Sequence, residues 1–169
     1  MRKSAVLITG ANGEMGRGLI DQLSKQGLSN LVALDLNPLD QSIAKLCIDQ
    51  IVGSILDVEI IKQLNDQYDF VMIYHLAAML STQSETLPHK AHDINVNGTL
   101  NLLNMAVDQG KLQKLPIKFF FPSSIAVYGF NNLKEKMAAG AILENHYRDP
   151  MTMYGCNKLY CEHLGNYYN

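Results

Sequence analysis

Two kinds of hydrophobic pattern alternate along the chain. Short apolar runs, Ala5 to Ile8, Asn30 to Leu34, Ile48 to Val52, Phe70 to Tyr74 and Ile117 to Phe121, predict strands. Between them apolar positions recur at helical spacing. Met15, Leu19, Ile20 and Leu23 stand opposite Arg17, Asp21, Gln22 and Lys25, which predicts an amphipathic helix over Glu14 to Gln26. Val58 to Gln67 and about Pro88 to Gln109 read as further helices, the first N-capped by Asp57. Such alternation predicts an α/β fold in three layers, a parallel sheet with helices on both faces. No repeat, linker or low-complexity tract interrupts it, so residues 1–169 read as one domain. The polar segment Gly129 to Met151, broken by Asn131, Asn132, Gly140 and Pro150, predicts a long loop, and loops of that length in compact domains are usually functional.

The turn after the first strand carries the first chemical signal. In "TGANGEMG", Gly10, Gly13 and Gly16 follow a G-x-x-G-x-x-G spacing and open the first helix. Glycine reaches positive φ at low cost and lets another group approach the main chain. The free amides and dipole of a helix N-terminus favour an anion, so strand, glycine turn and helix form the phosphate cradle of a dinucleotide-binding unit. The second strand ends at Asp35, roughly 20 residues beyond the glycines, where doubly wound folds of the Rossmann type place a carboxylate on the adenosine ribose. A 2'-phosphate would meet that negative charge, and Leu36, Asn37 and Pro38 offer no arginine, so the pattern favours NAD over NADP.

Composition narrows the classes. The formal charge is −2, and Lys and Arg are scattered among acids, which argues against a nucleic-acid partner. No apolar stretch reaches the length of a membrane span, and a cytoplasmic, membrane-free protein is expected. Cys47, Cys156 and Cys161 lack paired metal-ligand spacing and read as small buried or half-buried residues. His89 and His92, three apart without a third ligand, read as a solvated face, as does His163, so no metal is expected. Met72, Met79, Met105 and Met153 read as core or pocket filler.

A second constellation lies towards the C-terminus. Tyr154 and Lys158 in "MTMYGCNK" are four apart at the start of a helix and share a face. An ammonium and a cationic nicotinamide nearby would stabilise a tyrosinate. Bringing a phenol with a pKa of about 10 near neutrality takes roughly 4 kcal/mol of differential stabilisation. Ser123 and Ser124, at the carboxyl end of the fifth strand, stand where ligands bind in open parallel sheets, and both are candidates on spacing.

Taken in order, the glycine turn, Asp35, "HLAA" (His75 to Ala78), "NVNGTLNLL" (Asn95 to Leu103), "SSIAVYG" and "YGCNK" resemble the N-terminal half of the extended short-chain dehydrogenase/reductases, the NAD-dependent epimerase/dehydratase family. The resemblance implies a catalytic trio of Ser124, Tyr154 and Lys158, with Tyr154 as acid/base and Lys158 also on the nicotinamide ribose. Ser124 rather than Ser123 matches the family serine, standing four residues before Tyr128-Gly129. The NAD surface implied comprises Gly10, Gly13 and Gly16, the amides of Glu14 and Met15, Asp35, Ser54 and Ile55, Leu76, Ala77, Ala78 and Leu80, and Asn95. Ser54 departs from the family's aspartate at the adenine edge, which implies weaker adenine discrimination with binding retained. The family's later strands and small substrate domain are not represented before Asn169, so the chain is expected to be a truncated NAD-binding half.

Within the family, "NVNGTLNLL" and "ILENHYRDP" suit nucleotide-sugar epimerases and dehydratases, and the broader epimerase reading is preferred. "IYHLAAMLS", "PSSIAVYG", "MTMYG" and "LGNYY" resemble the short-chain type of L-threonine dehydrogenase. Ile125-Ala126 lack the acid/base pair of a dehydratase. A catalytically incomplete NAD-binding module is the alternative of another class. Family members commonly dimerise through the helices that here carry Leu100, Leu103, Val107, Leu159 and Leu164, so a homodimer is expected.

Overall fold

The computed structural model describes residues 2–169. Strands β1 (Lys3–Thr9), β2 (Leu31–Asp35), β3 (Asp49–Val52), β4 (Tyr68–His75) and β5 (Lys118–Phe120) form one sheet in the order β3-β2-β1-β4-β5. All four pairings are parallel. The helices are α1 (Glu14–Lys25), α2 (Gln41–Ala44), α3 (Val58–Gln67), α4 (Ser81–Thr86), α5 (Pro88–His92), α6 (Gly98–Gln113), α7 (Leu133–Ala138) and α8 (Met153–Tyr168). The expected three-layer Rossmann-type fold is what the chain adopts.

Continuous apolar strands need a core on each face, and two are present. Ala5, Leu7, Val32, Leu34, Phe70 and Ile73 pack with Leu64 of α3 and Leu102, Met105 and Ala106 of α6. Val6, Ile8, Leu31 and Ala33 pack on the opposite face with Ile20 and Leu23 of α1. Phe70 and Ile73 share a face although three apart, because β4 bulges: Ala5 pairs with Phe70 and Val6 with Met72, leaving Val71 unpaired and half exposed.

Two glutamines of α6, Gln109 buried and Gln113 half-buried, hold the bulged strand. Gln109 accepts from the Phe70 amide at 3.0 Å and donates to the Tyr68 carbonyl at 2.8 Å, while Gln113 donates to the Phe70 carbonyl at 2.9 Å. The Asp57 cap forms as expected, its carboxylate accepting from the amides of Glu59 and Ile60.

Three local expectations are revised. The helix read from Pro88 to Gln109 is α5, a π-helical turn at Asp93–Asn97, and α6 running on to Gln113. The polar segment 129–151 contains α7, N-capped by Asn132, which accepts from the Glu135 amide at 2.9 Å, while Glu135 accepts from the amide of Asn131, just before the cap, at 2.8 Å. Helices α2 and α4 are additional; each is short, and neither carries a full apolar period.

Gln109→Leu keeps apolar bulk but strands the Phe70 amide and the Tyr68 carbonyl. It is expected to cost about 2 kcal/mol, seen as a lower urea midpoint at unchanged m value.

Candidate functional site

The sheet order reverses at β1, with β2 on one side and β4 on the other, and a crevice opens at the carboxyl ends of β1 and β4. A groove of about 530 Å³ occupies it. It is lined by Gly10, Gly13, Glu14, Met15, Gly16, Asp35, Ser54, Ile55, Leu76, Ala77, Ala78 and Leu80, the surface the resemblance implies, by Met79, read from the sequence as core or pocket filler, and by Gln83, Lys90 and Ile94, which the sequence reading missed. These last come from the short helices after β4, whose irregular pattern hid their direction.

The groove is built for close approach to backbone. Gly10 has φ +66°, and a Cβ there would stand 2.6 Å from the Ala77 amide nitrogen. Gly13 is the N-cap of α1 and offers no side-chain cap, so the first amides of the helix remain available to an anion. Opposite them, Asp35 accepts from the Asn12 amide at 2.9 Å with one oxygen and from the Asn37 amide at 3.0 Å with the other. Ser54 accepts from the Leu56 amide at 3.1 Å, shaping the turn that presents buried Ile55. The uncapped amides, the carboxylate and the apolar floor fit a dinucleotide.

Asn95 is the one implied cofactor residue outside both the groove lining and the Tyr154–Lys158 face. It is buried in the π-helical turn, where its side chain accepts from the Met79 amide at 2.8 Å and donates to the Met79 carbonyl at 3.0 Å and to Asn157 at 3.4 Å. It therefore shapes the groove wall and ties it to α8.

The Tyr154–Lys158 face follows from how α8 begins. Thr152 caps the helix, its hydroxyl accepting from the Gly155 amide at 3.0 Å. A Cβ at Gly155 would collide with the Ala126 carbonyl, so the first turn of α8 lies directly on the 3-10 turn Ile125–Val127 that follows Ser124. This contact brings the serine loop and Tyr154 together. Ser124 accepts from the Ala126 amide at 3.2 Å, which leaves its hydroxyl proton free to donate. Ser123 is engaged differently, bonded to Glu162 on α8, which also pairs with Arg148 at 2.5 Å and so anchors the end of the long loop.

Lys158 is 4% exposed and has no carboxylate partner among the described residues. Its ammonium donates to the Pro122 carbonyl at 2.9 Å and lies 4.3 Å from the Phe121 ring centroid and 5.6 Å from that of Tyr154. Burial pulls its pKa down from 10.5 to about 8. Burial raises the Tyr154 phenol above its ordinary value; the expected lowering rests on a nicotinamide charge as well as on Lys158. Removal of water disfavours the tyrosinate; a further positive charge beside the phenol would act in the opposite sense.

No group of three metal-ligating side chains occurs among the described residues, and Cys47, Cys156 and Cys161 are free thiols, Cys156 exposed where a buried or half-buried residue was expected. No helix of the described residues is long and apolar enough to cross a membrane.

Fold and groove together define an α/β domain of the Rossmann type. The NAD dependent epimerase/dehydratase family matches residues 6–169, and the chain belongs to it. The mitochondrial L-threonine 3-dehydrogenase of Bos taurus is 28% identical over 164 residues, covering 96% of this chain and 41% of that protein. A monomeric L-threonine 3-dehydrogenase of metagenomic origin superimposes with a TM-score of 0.81 at 32% identity, over 96% of this chain and 48% of its own. The UDP-glucose 4-epimerase of Brucella ovis, solved with NAD, gives 0.77 at 30% identity, over 98% of this chain and 47% of its own. The chain thus spans about half the length of the relatives it matches.

A lysine pulled down by burial makes the folded state bind fewer protons than the unfolded state between about pH 8 and pH 10.5. Its cost to folding is full below that window and fades as pH rises through it. Lys158→Met is therefore expected to stabilise the chain by about 1 to 3 kcal/mol at pH 7, with the gain vanishing near pH 10.5, as read from urea midpoints across pH.

Proposed function

We propose that the chain is the cofactor-binding and proton-transfer half of an NAD-dependent oxidoreductase acting on a secondary alcohol. The observation that carries this is buried Lys158 beside Tyr154, on a helix that Asn95 ties through Met79 to the wall of a groove lined by Ala77 and headed by the uncapped α1 amides. NAD bound in the groove would supply the hydride acceptor and a positive charge. Tyr154 then takes the hydroxyl proton, Ser124 donates a hydrogen bond to the substrate oxygen, and Lys158 holds the ribose and favours the tyrosinate.

For substrate, a β-hydroxy amino acid of the L-threonine kind is favoured, because two of the three relatives described are L-threonine 3-dehydrogenases. The nucleotide-sugar reading preferred from the sequence is kept as the second, supported by the likeness to a UDP-glucose 4-epimerase. NADH formation with L-threonine, against interconversion of UDP-glucose and UDP-galactose, separates the two. Tyr154→Phe is expected to lower kcat by about 10²- to 10⁴-fold while leaving the Kd for NAD within about threefold. NAD binding without any turnover would favour the binding-module reading instead.

A homodimer through α6 and α8 belongs to the same proposal. Leu100, Val107, Leu159 and Leu164 are half-buried and available to it, whereas Leu103 is buried within the protomer. Sedimentation at micromolar concentration is expected to give a dimer mass, and a monomer mass would remove this part.

A further inference from the structure

Between the groove and the catalytic helix lies an imidazole that neither cofactor contact nor proton transfer uses. His75 ends β4, is 1% exposed, and packs against the rings of Phe119 and Phe121 with centroids at 6.0 and 5.9 Å. Its Nδ1 lies 2.9 Å from the Thr9 hydroxyl and its Nε2 lies 2.9 Å from the Thr99 hydroxyl.

The partners decide which nitrogen carries the proton. Thr99 donates to the Asn95 carbonyl at 2.6 Å, and a hydroxyl has only one proton, so towards His75 it accepts and Nε2 is the donor. A neutral ring protonated at Nε2 leaves Nδ1 as acceptor. The Thr9 hydroxyl therefore donates to Nδ1, and its oxygen accepts from the Ala77 amide at 3.3 Å. The hydrogen bonds run in one direction, from the Ala77 amide through Thr9, His75 and Thr99 to the Asn95 carbonyl. A doubly protonated ring would leave the Thr9 proton without this acceptor and place a second cation near Lys158. Burial accordingly holds the ring neutral, with its pKa pulled down to about 3 and the Lys158 charge acting in the same sense. The other titratable group facing the network is the Cys161 thiol, which donates to the same Asn95 carbonyl at 3.2 Å.

Both ends of the relay reach functional elements. Ala77 abuts Gly10 and lines the groove. The Asn95 carbonyl takes the Cys161 thiol of α8, one turn beyond Lys158, and the Asn95 side chain holds the loop at Met79.

We propose that His75 is a positioning residue, a neutral Nε2–H imidazole whose one-way hydrogen-bond relay fixes the cofactor cradle at Ala77 relative to the catalytic helix at Asn95. Its effect on cofactor affinity rests on the reading of the groove as an NAD site; the relay itself does not.

The test starts without cofactor. In the chain labelled with ¹⁵N-histidine, His75 is expected to show the Nε2–H tautomer unchanged from about pH 8 to about pH 5. A Nδ1–H tautomer, or protonation near the free-imidazole value of about 6.5, overturns the proposal. Thr99→Val breaks the relay at its far end, and hydrogen exchange of the Ala77 amide is expected to quicken by about tenfold, with Thr99→Ser restoring the parent rate. Unchanged Ala77 exchange in Thr99→Val overturns it. In NAD titrations, Thr99→Val and His75→Phe are each expected to raise Kd by about tenfold, and the double variant no further than the worse single, because the groups act as a unit. Additive losses indicate two separate packing effects and overturn the proposal. If His75→Phe fails to fold, the Thr99 pair carries the test. If the parent chain binds no NAD, the cofactor reading fails, and the tautomer and Ala77 exchange decide the relay alone.

Discussion

The parallel pairing of β1 with β4 is the constraint from which the other features follow. It puts Thr9 beside His75 in register, so both strands release the chain at the same level of the sheet. From one end the chain enters the glycine turn and from the other the Leu76–Ala78 segment, and Gly10 must then meet the Ala77 backbone. The groove is the space left between two exits that diverge onto opposite faces, towards α1 on one side and α4 to α6 on the other. The bulge at Val71 serves the same pairing. Were β4 regular there, Phe70 and Ile73, three apart, would point to opposite faces and one core would lose a large side chain.

The site carries costs that the rest of the fold offsets. Lys158 has one carbonyl and two aromatic faces to favour its ammonium, but the loss of water on burial outweighs them, lowers its proton affinity and detracts from stability near neutrality. Its neighbours are the opposite case. Thr9, His75, Asn95 and Thr99 are all buried, and no buried side-chain nitrogen or oxygen among the described residues lacks a partner. A fully satisfied polar network tolerates burial and holds one geometry. Rigid polar support around a strained ionisable group is what preorganised proton transfer requires.

The sequence carried most of the architecture because the strands are buried on both faces and the long helices are amphipathic, so each wrote its period into the chain. Asp35 and the glycine turn were legible through spacing alone. Gly155 was not, since its meaning is a contact with Ala126 that no local pattern records. The π-helical turn was hidden for a related reason: one extra backbone step inside a helix leaves composition untouched, yet it frees the Asn95 carbonyl for Thr99 and Cys161. The rise in the Tyr154 pKa on burial was not legible, because residue identity reports which charges are near but not how much water has been removed. Lys90 and Gln83 were missed because short helices reveal no face.

Asp35 shows why motif residues of this kind resist separation into structural and functional roles. Its two oxygens already accept from Asn12, inside the glycine turn, and from Asn37, just past β2. The carboxylate therefore joins the glycine turn to the segment that follows β2. A carboxylate oxygen has lone pairs enough to accept a hydroxyl without releasing the backbone amide. On the proposed reading, recognition of a ribose then needs no rearrangement, and the negative charge that would discourage a 2'-phosphate is held in place by the turn it stabilises. Removing that charge would loosen the turn as well, so on this reading selectivity for the cofactor is inseparable from the shape that admits it.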